Sequence, residues 1–159
     1  MTRCIDAIGI DPGTSSPGLS WVRMVGSSIE LVELPVIHSL EELVTTLAEW
    51  ADSLNTSPNH RVVAVESVAW SLHASASGNG SGRILESVGA ARMFAEFASA
   101  RFFTIAPATW RKAVTGSGKA TKEQTREMLK RRVIGWPSGA VGLGRSDATA
   151  IAIAGGMRA

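Results

Sequence analysis

Short apolar runs, some alternating with polar residues, predict five β-strands along the chain. Turn-forming residues such as Gly, Pro, Ser and Asn bound each run. The predicted strands cover residues 4–11, 18–25, 29–34, 61–66 and 102–106. Because the first three follow one another through short turns, we expect an antiparallel meander at the start of the chain.

Apolar residues at helical spacing predict four helices. Ser39 with Glu42, and Thr121 with Gln124, have the spacing of capping boxes, so helices are expected to begin directly after Ser39 and Thr121. Two more helices are expected, one from about residue 83 to 99 and one that opens at Asp147.

Three stretches rich in small, polar or basic residues are expected to lie outside helices and strands. They are a mobile loop at 71–82, a basic loop at 107–120 and a flexible link at 139–144. The resulting order of elements is βββαβαβαα. At 159 residues, this order predicts a single α/β domain that spans the chain from residue 1 to residue 159.

The charge distribution divides the chain into an acidic first part and a basic second part. Residues 1–66 carry three Lys or Arg against nine acids, whereas residues 67–159 carry thirteen against five. Nine of the sixteen basic residues lie between Arg101 and Arg132. This concentration favours a positive surface that binds a polyanion, although a solvated helix face has the same composition.

Cysteine content and hydropathy bear on the compartment. Cys4 is the only cysteine, so an internal disulfide cannot form and a reducing compartment is expected. No apolar run is long enough to span a bilayer, and no secretory signal or lipidation motif is seen. We therefore expect a cytoplasmic protein with no membrane partner.

Three acidic residues stand at the ends of predicted elements. Asp11 and Glu66 each end an apolar strand, and Asp147 opens the last helix. If these carboxylates converge they repel one another, so a divalent cation is their natural partner. The alternative for Asp11 is an ordinary strand-ending residue in a turn, and for Asp147 an acid favoured by the helix dipole.

Four segments in order resemble the motifs of the RuvC family of Holliday-junction endonucleases. They are residues 9–13 (Gly-Ile-Asp-Pro-Gly), 63–66 (Val-Ala-Val-Glu), 113–124 (Ala-Val-Thr-Gly-Ser-Gly-Lys-Ala-Thr-Lys-Glu-Gln) and 147–153 (Asp-Ala-Thr-Ala-Ile-Ala-Ile). The resemblance covers nearly the whole chain. It implies an RNase H-like fold, with a mixed five-stranded sheet and helices on both of its faces.

The resemblance also implies a metal site. Asp11, Glu66 and Asp147 are expected to bind Mg²⁺, with Mn²⁺ as a substitute, and to serve a phosphodiesterase. Lys122 corresponds to the family's lysine near the scissile phosphate and is expected to take part in catalysis. The family has a fourth acid or a histidine at the position of Gly144, so the number of bound ions stays open.

A set of basic and aromatic side chains is expected to contact DNA. It comprises Trp70, Arg111, Lys112, Lys119, Lys122, Arg126 and Lys130. Arg111 stands where the family has a lysine, and Arg suits phosphate recognition. Trp70 is offset by one residue from the family's base-stacking aromatic, and burial beneath the loop is its alternative.

The resemblance implies a homodimeric endonuclease that resolves four-way junctions by paired symmetric cuts. No small-molecule cofactor is expected, and the protein is expected to act in a bacterium or a phage-infected host. The helix at residues 83–99 is the expected dimer interface. Three alternatives remain open at this point: a nuclease for flaps or other branched DNA, a junction-binding protein that does not cut, and a sugar-kinase-type ATPase domain. The last rests on residues 9–16, which also look like a nucleotide-phosphate loop.

Overall fold

The computed structural model of the chain describes residues 3–13, 16–67 and 80–159. Six strands form one mixed sheet with the order β5-β4-β1-β2-β3-β6. The strands are β1 (Cys4–Asp11), β2 (Gly18–Val25), β3 (Ser28–Glu33), β4 (Arg61–Glu66), β5 (Arg101–Ile105) and β6 (Val133–Ile134). The first three pair antiparallel, as the predicted meander requires, and β4, β5 and β6 join by parallel pairing.

Helices cover both faces of this sheet. They are α1 (Leu40–Ser53), α2 (Gly80–Phe97), α3 (Pro107–Thr115), α4 (Lys122–Arg132) and α5 (Leu143–Gly156), and a short 3-10 turn spans Pro58–His60. One apolar cluster lies between the sheet and α1 and α2, and the other lies between the sheet and α3, α4 and α5. None of the helices in the described ranges is long and apolar enough to cross a membrane.

The predicted caps of two helices are present. The Ser39 side chain accepts a hydrogen bond from the backbone N–H of Glu42 at 3.1 Å. Thr121 and Gln124 form a reciprocal capping box, in which each side chain accepts a bond from the other residue's backbone N–H. These bonds satisfy backbone donors that a helix start leaves free, and they explain why α1 and α4 begin where the sequence indicated.

The prediction of an α/β fold with a mixed sheet covered on both faces is confirmed, but four details were wrong. Of the loop predicted at 71–82, residues 80–82 belong to helix α2, and residues 71–79 lie outside the described residues. The sheet has six strands rather than five, because the two-residue strand β6 follows α4 and pairs with β3. The predicted loop at 107–120 contains helix α3. Helix α5 begins at Leu143 rather than at Asp147, so Asp147 lies in its second turn and is not a helix-start acid.

Alternation along the strands decides which side chains meet which helices. On β1, Ala7 belongs to the cluster under α3, α4 and α5, whereas Ile8 and Ile10 belong to the cluster under α1 and α2. On β4, Ala64 belongs to the cluster under α3, α4 and α5, and Val65 belongs to the cluster under α1 and α2. Helix α5 lies on the face of Ala7 and Ala64, and eleven of its residues are buried.

Gly9 allows α5 to lie directly on β1. A Cβ atom at this position would overlap the carbonyl oxygen of Ala148 and lie 2.5 Å from the backbone nitrogen of Ala152. Both contacts are to helix backbone, which cannot rotate away as a side chain can. The separation between α5 and the sheet is therefore set by the missing side chain at Gly9.

We expect Gly9→Ala to destabilise the fold by about 3 kcal/mol or more, because the added methyl group forces α5 away from β1. Urea unfolding followed by circular dichroism measures this change. Gly139→Ala is the matched control, since a Cβ at Gly139 meets nothing within 4 Å. The control should change the free energy of unfolding by at most about 1 kcal/mol. Equal unfolding midpoints for both variants would contradict the close packing of α5.

Candidate active site

The parallel register of β1 and β4 places Asp11 beside Glu66. Ile10 is opposite Val65 in this pairing, so the next residue of each strand is one of the two acids. Neighbouring strands lie about 4.8 Å apart, which brings the two side chains within reach of one partner. Alternation directs both toward the face that α5 covers.

Asp147 reaches the same place from α5. Its side chain is only 1% exposed, and its Oδ2 atom lies 2.6 Å from the Nζ atom of Lys122, the first residue of α4. Lys122 is thus the close cationic partner of Oδ2, whereas Oδ1 has no hydrogen-bond donor among the described residues. Asp147 therefore presents a buried carboxylate, paired through one oxygen, to Asp11 and Glu66.

Helix α3 contributes two residues to the site. The indole N–H of Trp110 donates a hydrogen bond of 2.9 Å to Oε2 of Glu66. The guanidinium carbon of Arg111 lies 4.9 Å from the centre of the Trp110 ring. The charge of Arg111 lowers the pKa of both Glu66 and Asp147, although burial has the larger effect on each.

The electrostatics of the site disfavour three free carboxylates. Burial, followed by repulsion from Glu66 and Asp147, raises the pKa of Asp11 to about 7, and Lys122 opposes this rise. Burial also raises the pKa of Glu66 and of Asp147, against the hydrogen bond from Trp110 and the ion pair with Lys122 respectively.

Lys122 responds in the opposite sense. Burial acts to lower its pKa, but its pairing with Asp147 and the charges of Asp11 and Glu66 outweigh burial, so the pKa is raised. Lys122 is therefore protonated at neutral pH. Together with Arg111 it supplies two positive charges against three carboxylates, which leaves a need for further positive charge.

The donor chemistry fits a hard divalent cation. Three carboxylates provide oxygen ligands of the kind that Mg²⁺ prefers, and the buried Oδ1 of Asp147 lacks a hydrogen-bond donor among the described residues. In residues 3–13, 16–67 and 80–159, however, no three His, Cys, Asp or Glu side chains lie close enough together to bind one metal ion as they stand.

Gly144 borders this set of acids. A Cβ atom there would lie 3.7 Å from Oδ2 of Asp11. The position that the family fills with a fourth ligand is thus adjacent to the acids in this chain as well. Because Gly has no side chain, only backbone atoms of residue 144 can interact with an ion.

The basic residues predicted to contact DNA differ in exposure. Lys112, Lys119 and Lys130 are exposed, and Arg111 is half-buried beside the acids. Arg126 is half-buried and donates a long hydrogen bond of 3.4 Å to the carbonyl of Val141, so part of its role is to hold the segment before α5. DNA contact by these residues stays a prediction, and Trp70 lies outside the described residues.

Sequence reasoning missed Trp110 because it assigned residues 107–120 to a loop. The signal was present, since Pro107 occupies the first turn of α3 and Gly116 follows its end with φ of 83°. Pro near the start and Gly just past the end are typical boundaries of a helix. With that helix assigned, Trp110 and Val114 would have been expected on one buried face.

Comparisons of the sequence with known proteins agree on one family. The family model for crossover junction endodeoxyribonuclease RuvC matches residues 7–155. The RuvC of Sulfurovum sp. (strain NBC37-1) is 31% identical over an alignment of 160 positions, which covers 94% of this chain and 93% of the relative. The RuvC of Helicobacter pylori (strain Shi470) is 31% identical over 157 residues, with 92% of each chain covered.

Solved structures show the same fold. The structure of Thermus thermophilus RuvC has a TM-score of 0.71 at 23% identity and covers 95% of this chain and 92% of its own. The T. thermophilus RuvC in complex with a Holliday junction substrate has a TM-score of 0.75 at 21% identity. The match covers 96% of this chain and 92% of the other. These likenesses confirm the predicted RNase H-like fold.

The raised pKa of Asp11 predicts a pH-dependent effect of Asp11→Asn. Asp11 ionises near 3.8 when unfolded and near 7 in the native state, so native stability falls as pH rises between these values. Asp11→Asn removes this cost and should stabilise the metal-free protein by up to about 4 kcal/mol at pH 8, and much less at pH 4. Urea unfolding in EDTA at both pH values measures the difference.

Asp52→Asn serves as the control for this measurement, because Asp52 is exposed on α1. It should leave the free energy of unfolding nearly unchanged at both pH values. A loss of stability in Asp11→Asn at pH 8 would show that the Asp11 carboxylate is stabilised in the native state and would contradict the assigned electrostatics.

Proposed function

The chain belongs to the RuvC family of crossover junction endodeoxyribonucleases, and we propose that it resolves four-way DNA junctions by cutting two opposed strands symmetrically. The observation that carries this proposal is the meeting of Asp11, Glu66 and Asp147 at one edge of the sheet, within the segment that the family model matches. We further propose that residues 1–159 act as one nuclease domain. Its place of action would be the cytoplasm, where chromosomal DNA is found.

We assign Asp11, Glu66 and Asp147 as the residues that hold Mg²⁺, with Mn²⁺ as a substitute. When bound, the cation supplies an activated water and stabilises the leaving oxygen of an in-line phosphodiester displacement. The three carboxylates provide the charge and the hard oxygens for this role. Their raised pKa values arise first from burial, and for Asp11 and Glu66 also from repulsion by neighbouring acids, so a bound cation would offset the cost of charging them.

Lys122 is assigned to the scissile phosphate. Its ammonium group is already at the site, paired with Asp147, and it stands at the first position of α4. At a helix start the free backbone N–H groups and the helix dipole add to a positive side chain in attracting a phosphate oxygen. Lys122 can therefore orient the strand that is to be cut.

The basic residues of α3, α4 and the loop between them are proposed to hold the junction arms. Arg111, Lys112, Lys119, Arg126 and Lys130 belong to the region in which most of the positive charge of the chain is concentrated. Contacts of this kind are made to phosphates and do not read sequence. Their affinity should fall steeply with salt concentration.

A homodimer is proposed to supply the second active site. Met93 and Phe97 of α2 have exposed fractions of 75% and 77%, and they border an apolar groove between α1 and α2 that Val44 also lines. A second copy of the chain is the occupant that this surface fits, because two symmetric cuts need two sites related by a two-fold axis. Large exposed side chains of this kind are typical of interfaces.

Removing any one of the three acids should abolish cutting. Asp11→Asn, Glu66→Gln and Asp147→Asn each delete a metal ligand, whose contribution of several kcal/mol corresponds to a rate loss of at least about 100-fold. Cleavage of labelled four-way junctions, flaps and duplex is measured with Mg²⁺ or Mn²⁺, and junction binding is measured in EDTA by gel shift. Binding should persist, since the acids do not hold the arms.

Asp52→Asn, which changes an exposed acid away from the site, should cut at the wild-type rate. Cleavage that survives all three site substitutions would exclude the assigned site. Wild-type protein that shifts junctions but cuts no strand with either cation would indicate a junction-binding protein without nuclease activity. Faster cleavage of flaps than of junctions would replace the four-way junction as the proposed substrate, while the assigned active site would stand.

Phe97→Glu should disrupt the dimer, because it places a charge in the apolar contact between two copies of α2. Light scattering coupled to size-exclusion chromatography should show a monomer for this variant and a dimer for wild type. Ile134→Glu is the control, because Ile134 is also exposed (61%) but lies on β6 at the opposite edge of the sheet from α2. A dimer that persists in Phe97→Glu would place the interface elsewhere.

A further inference from the structure

We propose that Trp110 is a positioning residue, which holds the Glu66 carboxylate by one oxygen and leaves the other oxygen for the cation. The inference rests on the proposed function of the site. Oε2 of Glu66 accepts the indole N–H of Trp110 at 2.9 Å. Among the described residues, no donor pairs with Oε1. Oε2 is thus held by the hydrogen bond, and Oε1 is left to act as the metal ligand.

The position of Trp110 makes this hydrogen bond rigid. The side chain is fully buried within the cluster under α3, α4 and α5. An indole has a single N–H and no acceptor, so its hydrogen bond has one possible direction once the ring is fixed. Glu66, by contrast, has a flexible side chain at the end of β4. Without Trp110 it would be free to rotate away from Asp11.

Trp110 also connects Glu66 to Arg111. The guanidinium of Arg111 lies over the face of the indole ring, while the edge of the ring carries the N–H to Glu66. The Nε atom of Arg111 is buried and has no hydrogen-bond partner among the described residues, and the contact with the ring contributes to placing this cation. The buried Trp110 ring therefore contacts both the Glu66 carboxylate and the Arg111 cation of the site.

The chemistry suits a residue that orients a metal ligand. A neutral indole donor fixes the carboxylate without neutralising it, whereas a lysine or arginine in the same place would compete with the cation for its charge. Groups that hold a metal ligand through a hydrogen bond typically change metal affinity or activity by 10- to 100-fold when removed. Trp110 has the contacts that such a role requires.

The chain contains a matched control for this bond. Trp21 is also buried, and its indole N–H donates to Oδ1 of Asp6 at 3.0 Å. Asp6 lies five residues before Asp11 on β1, at the other end of the strand. Trp21→Phe therefore removes the same type of hydrogen bond from the same sheet without touching the site.

The test compares Trp110→Phe with Trp21→Phe. The Kd for Mn²⁺ is measured by titration calorimetry, and kcat and junction affinity are measured separately. Trp110→Phe should weaken Mn²⁺ binding and lower kcat by about 10- to 100-fold, with junction binding in EDTA unchanged. Trp21→Phe should lower the thermal midpoint but leave the Kd for Mn²⁺ and kcat within about threefold of wild type.

Several outcomes would overturn the inference. Trp110→Phe with wild-type Mn²⁺ affinity and kcat would show that Glu66 needs no such support, while the proposed function would stand. Equal losses in both variants would mean that general stability, not positioning, sets metal affinity. In a Glu66→Ala background, Trp110→Phe should cause no further loss of affinity, and an additional loss would contradict action through Glu66. Wild type that neither binds Mn²⁺ nor cuts would overturn the proposed function and this inference together.

A second measurement applies if Trp110→Phe does not fold. The indole N–H signals of wild type are followed by NMR during a Mg²⁺ titration, with the other four tryptophans assigned from their own Phe variants. The Trp110 signal should shift as Mg²⁺ binds, because its acceptor is a ligand, and the Trp21 signal should not. A Trp110 signal that stays in place while Mg²⁺ binds would overturn the inference.

Discussion

The backbone contact between α5 and β1 at Gly9 determines the geometry of the site. Asp11 is carried by a strand and Asp147 by a helix, and the side chains between two such packed elements usually keep their backbones apart. Here the helix backbone at Ala148 occupies the space of the missing Cβ. A second glycine, Gly18 on β2, approaches the carbonyl of Gly144 in the same way. The acids therefore meet because small residues remove the layer that would have kept them apart.

Bringing the acids together has an electrostatic cost that the rest of the site is arranged to limit. Lys122 pairs with Asp147 at the start of α4, and Trp110 gives Glu66 a neutral donor. Lys122 only partly opposes the effects of burial and of the neighbouring acids on Asp11, whose pKa rises to about 7. The remaining cost of charging Asp11 is free energy that a bound divalent cation would recover, so instability of the metal-free site and affinity for metal have the same origin.

Local signals predicted most of the elements and the three acids, whereas the RNase H-like fold and the place of Lys122 came from the family resemblance. Asp11 and Glu66 were singled out as strand-ending acids, and the parallel register that sets them side by side is seen only in the structure. Asp147 was singled out as the acid that opens the last helix, and its position inside α5 was missed because two nearby glycines predicted a link. Packing on β1 and β2 outweighs that low helix propensity. Trp110 was missed together with the helix that carries it, although Pro107 and Gly116 mark the boundaries of that helix. Its hydrogen bond to Glu66 is a tertiary contact, which no local signal predicts.

Gly144 illustrates how one position can serve packing and electrostatics together. Its carbonyl lies against Gly18, and a side chain added to it would point toward Oδ2 of Asp11. An acid at this position would provide a fourth ligand, but it would also add a fourth negative charge to a site in which Asp11 already has a raised pKa. The glycine avoids that added charge in the metal-free state, and in the proposed site it leaves three carboxylates as the side-chain ligands. Precise placement of those three, including Glu66 by Trp110, then matters more than it would in a site with four ligands.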